Sequence, residues 1–295
     1  MSLANALGVA RAGRSMVLLG DPQQLDQPSK GSHPDGVASS VLQHILGTDE
    51  TMPADRGLFL AETWRLPPAI CAFTSELFYA GRLRSRAGLE RQALVDSEMF
   101  DGAGLWLIEV NHHGNRNASD EEAAEVAGVV ARLLSSGAPD AGDFRSDLPL
   151  FDVRIPRWID ASGASHLIRP GDIRVLTPFN AQVARIRDAL AARGQHAAAV
   201  PVGTVDKFQG QQAAVAIYSL ATSHPDDAPK GMEFLYSLNR LNVATSRARC
   251  ASIIVLSPQL FEVDCRTPHR MRLANALGRF RELSREVFRP SGSRS

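Results

Sequence analysis

Apolar residues along the chain recur in two patterns, as short continuous runs and as positions spaced by three or four. The continuous runs predict buried β-strands, because such runs are typical of strands covered on both faces of a parallel sheet. These predicted strands are residues 16–19, 105–110, 173–177, 197–200, 215–220 and 252–256.

Between these strands the spacing changes to three or four, which is typical of amphipathic helices. The predicted helices are residues 3–10, 37–46, a segment entered through Pro67-Pro68, 120–135, 181–193, a segment from 208 onward, and 238–247. Residues 139–170 are polar and irregular, which predicts a long loop or a small hairpin. Strands alternating with helices predict an α/β fold with a mostly parallel sheet covered by helices on both faces.

Composition limits the possible classes of protein. The 295 residues carry 32 basic and 32 acidic side chains, so any nucleic-acid contact must come from a local patch. Only three of the basic residues are lysines. Arginine suits bidentate phosphate contact, and genome composition explains the bias equally well.

Three widely separated cysteines argue against a disulfide framework or a zinc site, and we expect no metal site of the protein's own. No apolar run approaches the roughly 18–20 residues of a membrane span, and the first residues do not resemble a signal peptide. We therefore expect a cytoplasmic protein without a membrane partner.

Five phrases follow one another in a fixed order. They are LLGDPQQL (18–25), ETWRLPPAICAFTSELFYAGRL (62–83), VLTPFNAQ (175–182), GTVDKFQGQQ (203–212) and RLNVATSRAR (240–249). In this order and spacing they resemble motifs III to VI of Upf-like superfamily 1 helicases, over about residues 2–256. The resemblance implies a RecA-like, P-loop NTPase-type fold and coupling of ATP hydrolysis to movement along single-stranded nucleic acid.

The resemblance also implies roles at the γ-phosphate of ATP. Arg247 and Arg65 match arginines that neutralise charge on the transferred phosphoryl group, and Gln24 matches the glutamine that senses the γ-phosphate. A guanidinium in such a position accelerates transfer by about 10³–10⁵ in arginine-finger systems. Taken alone, either arginine fits an ordinary salt bridge between elements.

Four further residues are expected near the nucleotide. Trp64 matches an aromatic that stacks on adenine, with core packing as the alternative. Asp21 and Gly210 belong to the motifs on either side of the nucleotide. Gln212 stands where the family has glutamate, so it can still accept a hydrogen bond but carries no charge.

The nucleic-acid contacts are expected at loops that follow strands. The resemblance assigns them to Thr177, Pro178, Gly203 and Thr204, where hydroxyl and backbone N–H groups can hold phosphates without reading sequence. Phe179 could stack on a base, although core packing is favoured.

The 295 residues contain no G-x-x-x-x-G-K-S/T loop for the β- and γ-phosphates. We therefore expect residues 1–58 to be the end of a first RecA-like domain, 59–262 to be the second, and 263–295 to be an arginine-rich tail. The tail is expected to be a solvated helix with a frayed end, and a nucleic-acid or partner contact is the alternative. ATP and Mg²⁺ would bind only with a complementary half, in cis or in trans. Three explanations stay open: part of a longer helicase, a subunit of a split motor, and a binding module that has lost motor activity.

The partner is expected to be single-stranded nucleic acid, with DNA favoured. The phrase FLYSLNRLNVATSRARC is most like helicase halves of bacterial proteins fused to RecB-like nuclease domains.

Overall fold

The computed structural model describes residues 1–25, 40–47, 49–134 and 155–287. In these ranges the first elements are α1 (Leu3–Val9), α2 (Val41–Leu46), β1 (Glu62–Thr63), α3 (Pro68–Phe78), β2 (Arg84–Ser85), β3 (Ala93–Val95), β4 (Gly104–Glu109) and α4 (Asp120–Leu133). The later elements are β5 (Arg157–Ile159), β6 (Ser165–Leu167), β7 (Ile173–Thr177), α5 (Asn180–Ala191), α6 (Gln195–Ala198), β8 (Val202–Thr204), β9 (Ala213–Ser219), α7 (Met232–Leu235), α8 (Leu238–Thr245), β10 (Ala248–Leu256) and α9 (Pro268–Leu283).

The central sheet has five strands in the order β4-β10-β9-β7-β8. Every neighbouring pair in it is parallel. Successive side chains along the inner strands point to opposite faces of the sheet. Ile217 and Val255 face one core, whereas Tyr218 and Ile254 face the other. The first core includes α4 and α5, and the second includes α3, α8 and α9. The prediction of a RecA-like α/β sheet with helices on both faces is confirmed.

Local signals explain several boundaries. Pro67 is the N-cap of α3 and Pro68 occupies its first turn, where a missing N–H costs nothing. The Ser119 hydroxyl accepts a hydrogen bond from the Glu122 amide and so caps α4. The predicted hairpin is the antiparallel pair β5–β6, and residues 139–154 of that prediction lie outside the described ranges.

The predicted strand at residues 16–19 is wrong. The segment is irregular, and Val17 and Leu19 are 82% and 91% exposed. A continuous apolar run forms a strand only where a neighbouring strand satisfies its backbone groups, and the described residues supply none here.

Two other predictions fail around β8. Residues 197–200 are the end of α6 and the turn after it, because the run of three alanines from Ala197 favours helix over strand. The helix predicted from Phe208 is a single 3₁₀ turn, Val205–Phe208. Gly210 then adopts φ +82, which turns the chain directly into β9.

The arginine-rich tail was predicted to be a solvated helix, and this prediction is wrong in one respect. Residues 288–295 of the predicted tail lie outside the described ranges. The described part is helical as α9, but its buried face joins the core through Leu273, Ala276, Leu277 and Phe280. Phe280 packs edge-on against Phe73 of α3 at a ring-centroid distance of 5.3 Å. The predicted domain boundaries at residues 58 and 262 remain a prediction.

Candidate functional site

Arg247 is the centre of the site, where α8 meets β10. Its side chain is 1% exposed, and all of its hydrogen-bond partners are neutral oxygens. Nε donates to the Val243 carbonyl at 2.9 Å, Nη1 to the Gln211 carbonyl at 3.2 Å, and Nη2 to Gln24 Oε1 at 3.3 Å. Burial, and then the positive charge of Arg65, lower the pKa of Arg247 to about 10.

Arg65 lies beside Arg247. Its Nη1 donates to the Ser246 carbonyl at 2.9 Å, and Arg247 Nη2 reaches the Ser246 hydroxyl at 3.4 Å. Burial lowers the pKa of Arg65, and the charge of Arg249 lowers it further. Its Nε is buried and has no hydrogen-bond partner within the described ranges.

Neither arginine forms an ion pair with a carboxylate in the part of the chain that the structure describes. The salt-bridge interpretation of Arg65 and Arg247 is therefore not supported. Two adjacent, largely desolvated guanidinium groups form a site that suits an anion, because each still carries a charge that only neutral oxygens contact.

Gln24 is held in place by the loop that precedes it. Its Nε2 donates to Asp21 Oδ2 at 2.8 Å, which turns Oε1 towards Arg247. Asp21 Oδ1 also accepts a hydrogen bond from the Gln23 amide at 3.0 Å. Asp21 therefore acts through Gln24 and does not face the arginines with a hydrogen bond of its own.

Tyr79, at the end of α3, is a member of the site that the motifs did not single out. Its hydroxyl donates to Asp21 Oδ2 at 2.5 Å and accepts a hydrogen bond from Asn242 Nδ2 at 3.1 Å. Burial, and then the negative charge of Asp21, raise the pKa of Tyr79 well above its usual range. The tyrosine thus stays neutral and joins the Asp21 loop to α8.

Two asparagines of α8 complete this junction. Asn239 Nδ2 donates to the Gln24 carbonyl at 2.7 Å, and Asn242 Nδ2 donates to the Gln23 carbonyl at 2.9 Å. Residues three apart share one helix face, so the spacing of these asparagines in NRLNVA (239–244) was a signal that could have identified the junction. Motif III and motif VI are thereby bonded to each other directly.

Trp64 projects from the loop before α3 and is 72% exposed, which rules out core packing for its ring. The Arg86 guanidinium lies over it, 3.3 Å from the ring centroid. Trp64 directly precedes Arg65 in the chain, so an aromatic surface adjoins the two arginines.

The other predicted nucleotide residues lie at the margin. Gly210 and Gln212 are exposed, and the link from their phrase to Arg247 is the Gln211 carbonyl rather than the Gln212 side chain. Gly210 contributes the tight turn, through its positive φ, and no side chain.

The residues predicted to contact nucleic acid are mostly covered. Thr177, Pro178 and Gly203 are buried, and Thr204 is half-buried. Phe179 packs in the core and lies against Phe234 at a ring-centroid distance of 5.6 Å. The more accessible groups at this edge are Lys207, after β8, and Lys230, before α7.

A second buried polar cluster, which was not predicted, fixes the loop after β9. Glu122 Oε2 accepts hydrogen bonds from the Ser219 hydroxyl at 2.6 Å and the Ala221 amide at 2.9 Å, and its Oε1 lies 3.0 Å from His112 Nε2. His112 Nδ1 lies 2.7 Å from the Ser223 hydroxyl. Glu122 is completely buried, and its hydrogen bond to the Ala221 amide holds Ala221 at φ +64.

None of the helices in the described ranges is long and apolar enough to cross a membrane. Over the same residues, no group of three His, Cys, Asp or Glu side chains is arranged to hold a metal ion.

Comparison with known proteins identifies the family. Residues 38–259 match the model of an AAA domain family. The chain is 27% identical to the putative helicase MOV-10 of Gallus gallus over 87% of this chain and 27% of that protein. It is 27% identical to the DNA replication ATP-dependent helicase/nuclease DNA2 of Xenopus laevis, over 84% of this chain and 23% of that protein.

A third relative is the regulator of nonsense transcripts 1 homolog of Arabidopsis thaliana, 26% identical over 84% of this chain and 18% of that protein. The chain thus spans about a quarter or less of the length of these relatives. Because the family model covers most of its length, the chain belongs to this AAA domain family, and it is a superfamily 1 helicase-like domain.

Proposed function

We propose that this chain is the second motor domain of an ATP-dependent superfamily 1 helicase, in which Arg247 and Arg65 bind the γ-phosphate of ATP. The observation that carries the proposal is the pair of adjacent, desolvated guanidinium groups without a carboxylate partner in the described residues. Phosphate oxygens suit such a pair because guanidinium groups bind them bidentately and strongly in a dry site.

Gln24 is proposed to report on that phosphate. Its amide is fixed between Asp21 and Arg247, and its carbonyl is fixed by Asn239. Binding of a γ-phosphate by Arg247 would weaken the contact between Arg247 and Gln24, and α8 would transmit the change to the loop that contains Asp21.

The remaining parts of the ATP site are proposed to come from a segment with a glycine-rich phosphate loop and acidic Mg²⁺ ligands, in cis or in trans. The exposed apolar run at residues 16–19 supports such a partner, because Val17 and Leu19 lie in solvent although their pattern is typical of an inner strand. The complete site for ATP with Mg²⁺ would then form between the two parts, so this chain alone would bind phosphate groups through its arginines but would have negligible ATPase activity.

The test uses purified chain and isothermal titration calorimetry with tripolyphosphate and with ATPγS. We expect Arg247→Ala and Arg65→Ala each to lower the affinity for both ligands by about tenfold or more, since a hydrogen bond to a charged group contributes about 1.5–3 kcal/mol. Arg193→Ala, at an exposed arginine after α5, is the control. Equal affinities for all four proteins would contradict the proposal.

Single-stranded nucleic acid is proposed to cross the carboxyl edge of the sheet, with DNA favoured. Lys230 lies 4.4 Å from the centre of the Phe234 ring, and Arg240 lies 4.1 Å from it, so charge and an aromatic surface occur together there. Fluorescence anisotropy with labelled single-stranded DNA should show weaker binding for Lys230→Glu. An RNA oligonucleotide of the same length tests the preference, and equal or tighter RNA binding would contradict it.

A RecB-like nuclease domain in the same protein is the further partner that the sequence resemblance suggests. Among the relatives, the DNA2 protein is described as a helicase/nuclease. A binding module without motor activity remains the second candidate, because Gln212 lacks the charge of the family glutamate.

A further inference from the structure

Trp64 differs from the other two tryptophans in its surroundings. Trp106 and Trp158 are buried, whereas Trp64 is 72% exposed. Leaving an indole ring in water forgoes the large gain that burial of its apolar area would give. The exposed ring beside Arg65 is therefore available to a ligand.

Arg86 covers one face of that ring. Its guanidinium carbon lies 3.3 Å from the ring centroid, which is close stacking rather than a distant charge contact. Since the ring is still mostly exposed, its opposite face is open. The ring thus offers a single stacking surface.

The backbone holds the two residues in register. Strands β1 and β2 pair in parallel, and the Arg86 amide donates to the Thr63 carbonyl at 3.1 Å. The Thr63 hydroxyl accepts a hydrogen bond from the Arg65 amide at 3.3 Å. Trp64 therefore lies between two residues, Thr63 and Arg65, whose backbone is fixed by bonds to the Arg86 segment and to the Thr63 hydroxyl.

Arg86 is held by the ring rather than by an acceptor. Its Nη1 is buried, and it has no hydrogen-bond partner within the ranges that the structure describes. A side chain that gives up a hydrogen bond to stack on an indole ring orders that ring, because the contact restricts the rotamers of both.

We propose that Arg86 is a positioning residue that fixes Trp64 as a one-sided stacking surface for the base of a nucleoside triphosphate. This inference rests on the proposed function, since the phosphates of the same ligand would bind Arg65 and Arg247. It adds that base and phosphates are recognised by separate groups, and that Arg86 acts only on the base.

The test compares a ligand with a base and one without. For Arg86→Ala we expect ATPγS affinity to fall about three- to tenfold, the range that a cation–π contact supports, and tripolyphosphate affinity to stay unchanged. Arg86→Lys keeps the charge but loses the planar contact, so its ATPγS affinity should lie between those of the wild type and Arg86→Ala. Arg84→Ala, at an exposed arginine of β2, is the matched control.

Tryptophan fluorescence gives a second readout, and the protection of Trp64 by ATPγS is the part of it that a purely structural role of Arg86 would not move. Because Trp64 is the exposed tryptophan, acrylamide quenching of the intrinsic fluorescence reports mainly on it. We expect ATPγS to protect Trp64 from quenching in the wild type, and Arg86→Ala to increase quenching in the free protein.

Several outcomes would overturn the inference. Equal loss of tripolyphosphate and ATPγS affinity in Arg86→Ala would make Arg86 a phosphate contact. Unchanged or tighter ATPγS binding would mean that Arg86 does not support the stacking surface. If tripolyphosphate binds through Arg247 but ATPγS binds no more tightly and does not protect Trp64, the inference fails and the proposed function stands. Failure of both ligands to bind would contradict both.

Discussion

Arg247 shows how the site depends on the environment of single residues. The guanidinium is nearly fully buried, and only carbonyl, amide and hydroxyl oxygens contact it. Desolvation and the nearby charge of Arg65 make its positive form costly, which is why its pKa falls to about 10. An anion that binds there removes much of this cost.

The lowered pKa predicts a pH dependence of anion binding. Only the protonated guanidinium attracts phosphate, so tripolyphosphate affinity should be constant at neutral pH and fall as pH rises through about 10. Calorimetric titrations between pH 7 and 11 measure this change. Arg247→Ala is the control, because its weaker binding should lose the step that Arg247 causes, and an identical step in the variant would contradict the assignment.

Tyr79 carries a second prediction at the residue scale. Tyr79→Phe removes the hydroxyl that bridges Asp21 and Asn242. Leaving a buried polar group without its hydrogen bond lowers the free energy of unfolding by about 1–3 kcal/mol. Urea unfolding should show a loss of unfolding free energy in that range. Tripolyphosphate binding should also weaken, because Gln24 is then less well fixed, and unchanged affinity would remove Tyr79 from the site.

Among the elements, α8 connects the two halves of the site. Its asparagines bind the loop of Gln23 and Gln24, its Val243 carbonyl binds Arg247, and its carboxyl end leads to Ser246 beside Arg65. A small shift of α8 would therefore move both arginines relative to the Asp21 loop. In the proposed function, this helix is the element through which a bound phosphate would act on the rest of the domain.

Helix α9 gives a prediction that separates a packed helix from a solvated tail. Phe280 is completely buried against Phe73, so Phe280→Ala should lower the free energy of unfolding by about 3–5 kcal/mol. Met271→Ala, at a half-exposed position of the same helix, should cost less than about 1 kcal/mol. Chemical denaturation measures both, and equal small effects would mean that α9 is not part of the core.

The cluster around Glu122 allows a third test at this scale. Glu122→Gln replaces a buried acceptor of several hydrogen bonds with a group that must donate at one position, and we expect a loss of about 1–3 kcal/mol in unfolding free energy. Asp120→Asn, at an exposed ion pair two residues earlier in α4, is the control and should cost less than about 1 kcal/mol.

The sequence predicted the repeating elements better than the interactions between them. Strands β4, β7, β9 and β10 follow from continuous apolar runs, because burial on both faces requires such runs whatever the partner. The strand predicted at residues 16–19 failed because its pattern needs a neighbouring strand that the described residues do not provide. The roles of Tyr79 and Glu122 could not be read from the sequence, since each depends on contacts between residues 58 or about 100 positions apart.

The same contrast appears at the site. Arg247, Arg65, Gln24 and Asp21 were predicted from their motifs, and the structure brings them together. Thr177, Pro178 and Gly203 were predicted as contact residues, but all three are buried, and the Phe208 ring lies close to Gly203. A motif identifies a position in the chain, whereas exposure depends on what packs over it.

At the scale of the whole molecule, the domain presents apolar side chains where a partner is proposed. Val17 and Leu19 are exposed in the described structure, and Leu58 and Leu60 are exposed as well. The double variant Val17→Ser, Leu19→Ser should leave the melting temperature nearly unchanged and reduce self-association in light scattering. Val255→Ser, at a buried position, should lower the melting temperature strongly, and a similar loss in the double variant would mean that residues 16–19 are part of the core.

The central claim is that this chain supplies the arginines of an ATP site whose phosphate loop comes from another segment. The most direct test measures ATP turnover by the purified chain, with and without single-stranded DNA, beside Arg247→Ala. The account predicts no turnover above background in either protein, together with tripolyphosphate binding that Arg247→Ala weakens. Robust DNA-stimulated turnover by the wild-type chain, or phosphate binding that ignores the Arg247 substitution, would contradict it.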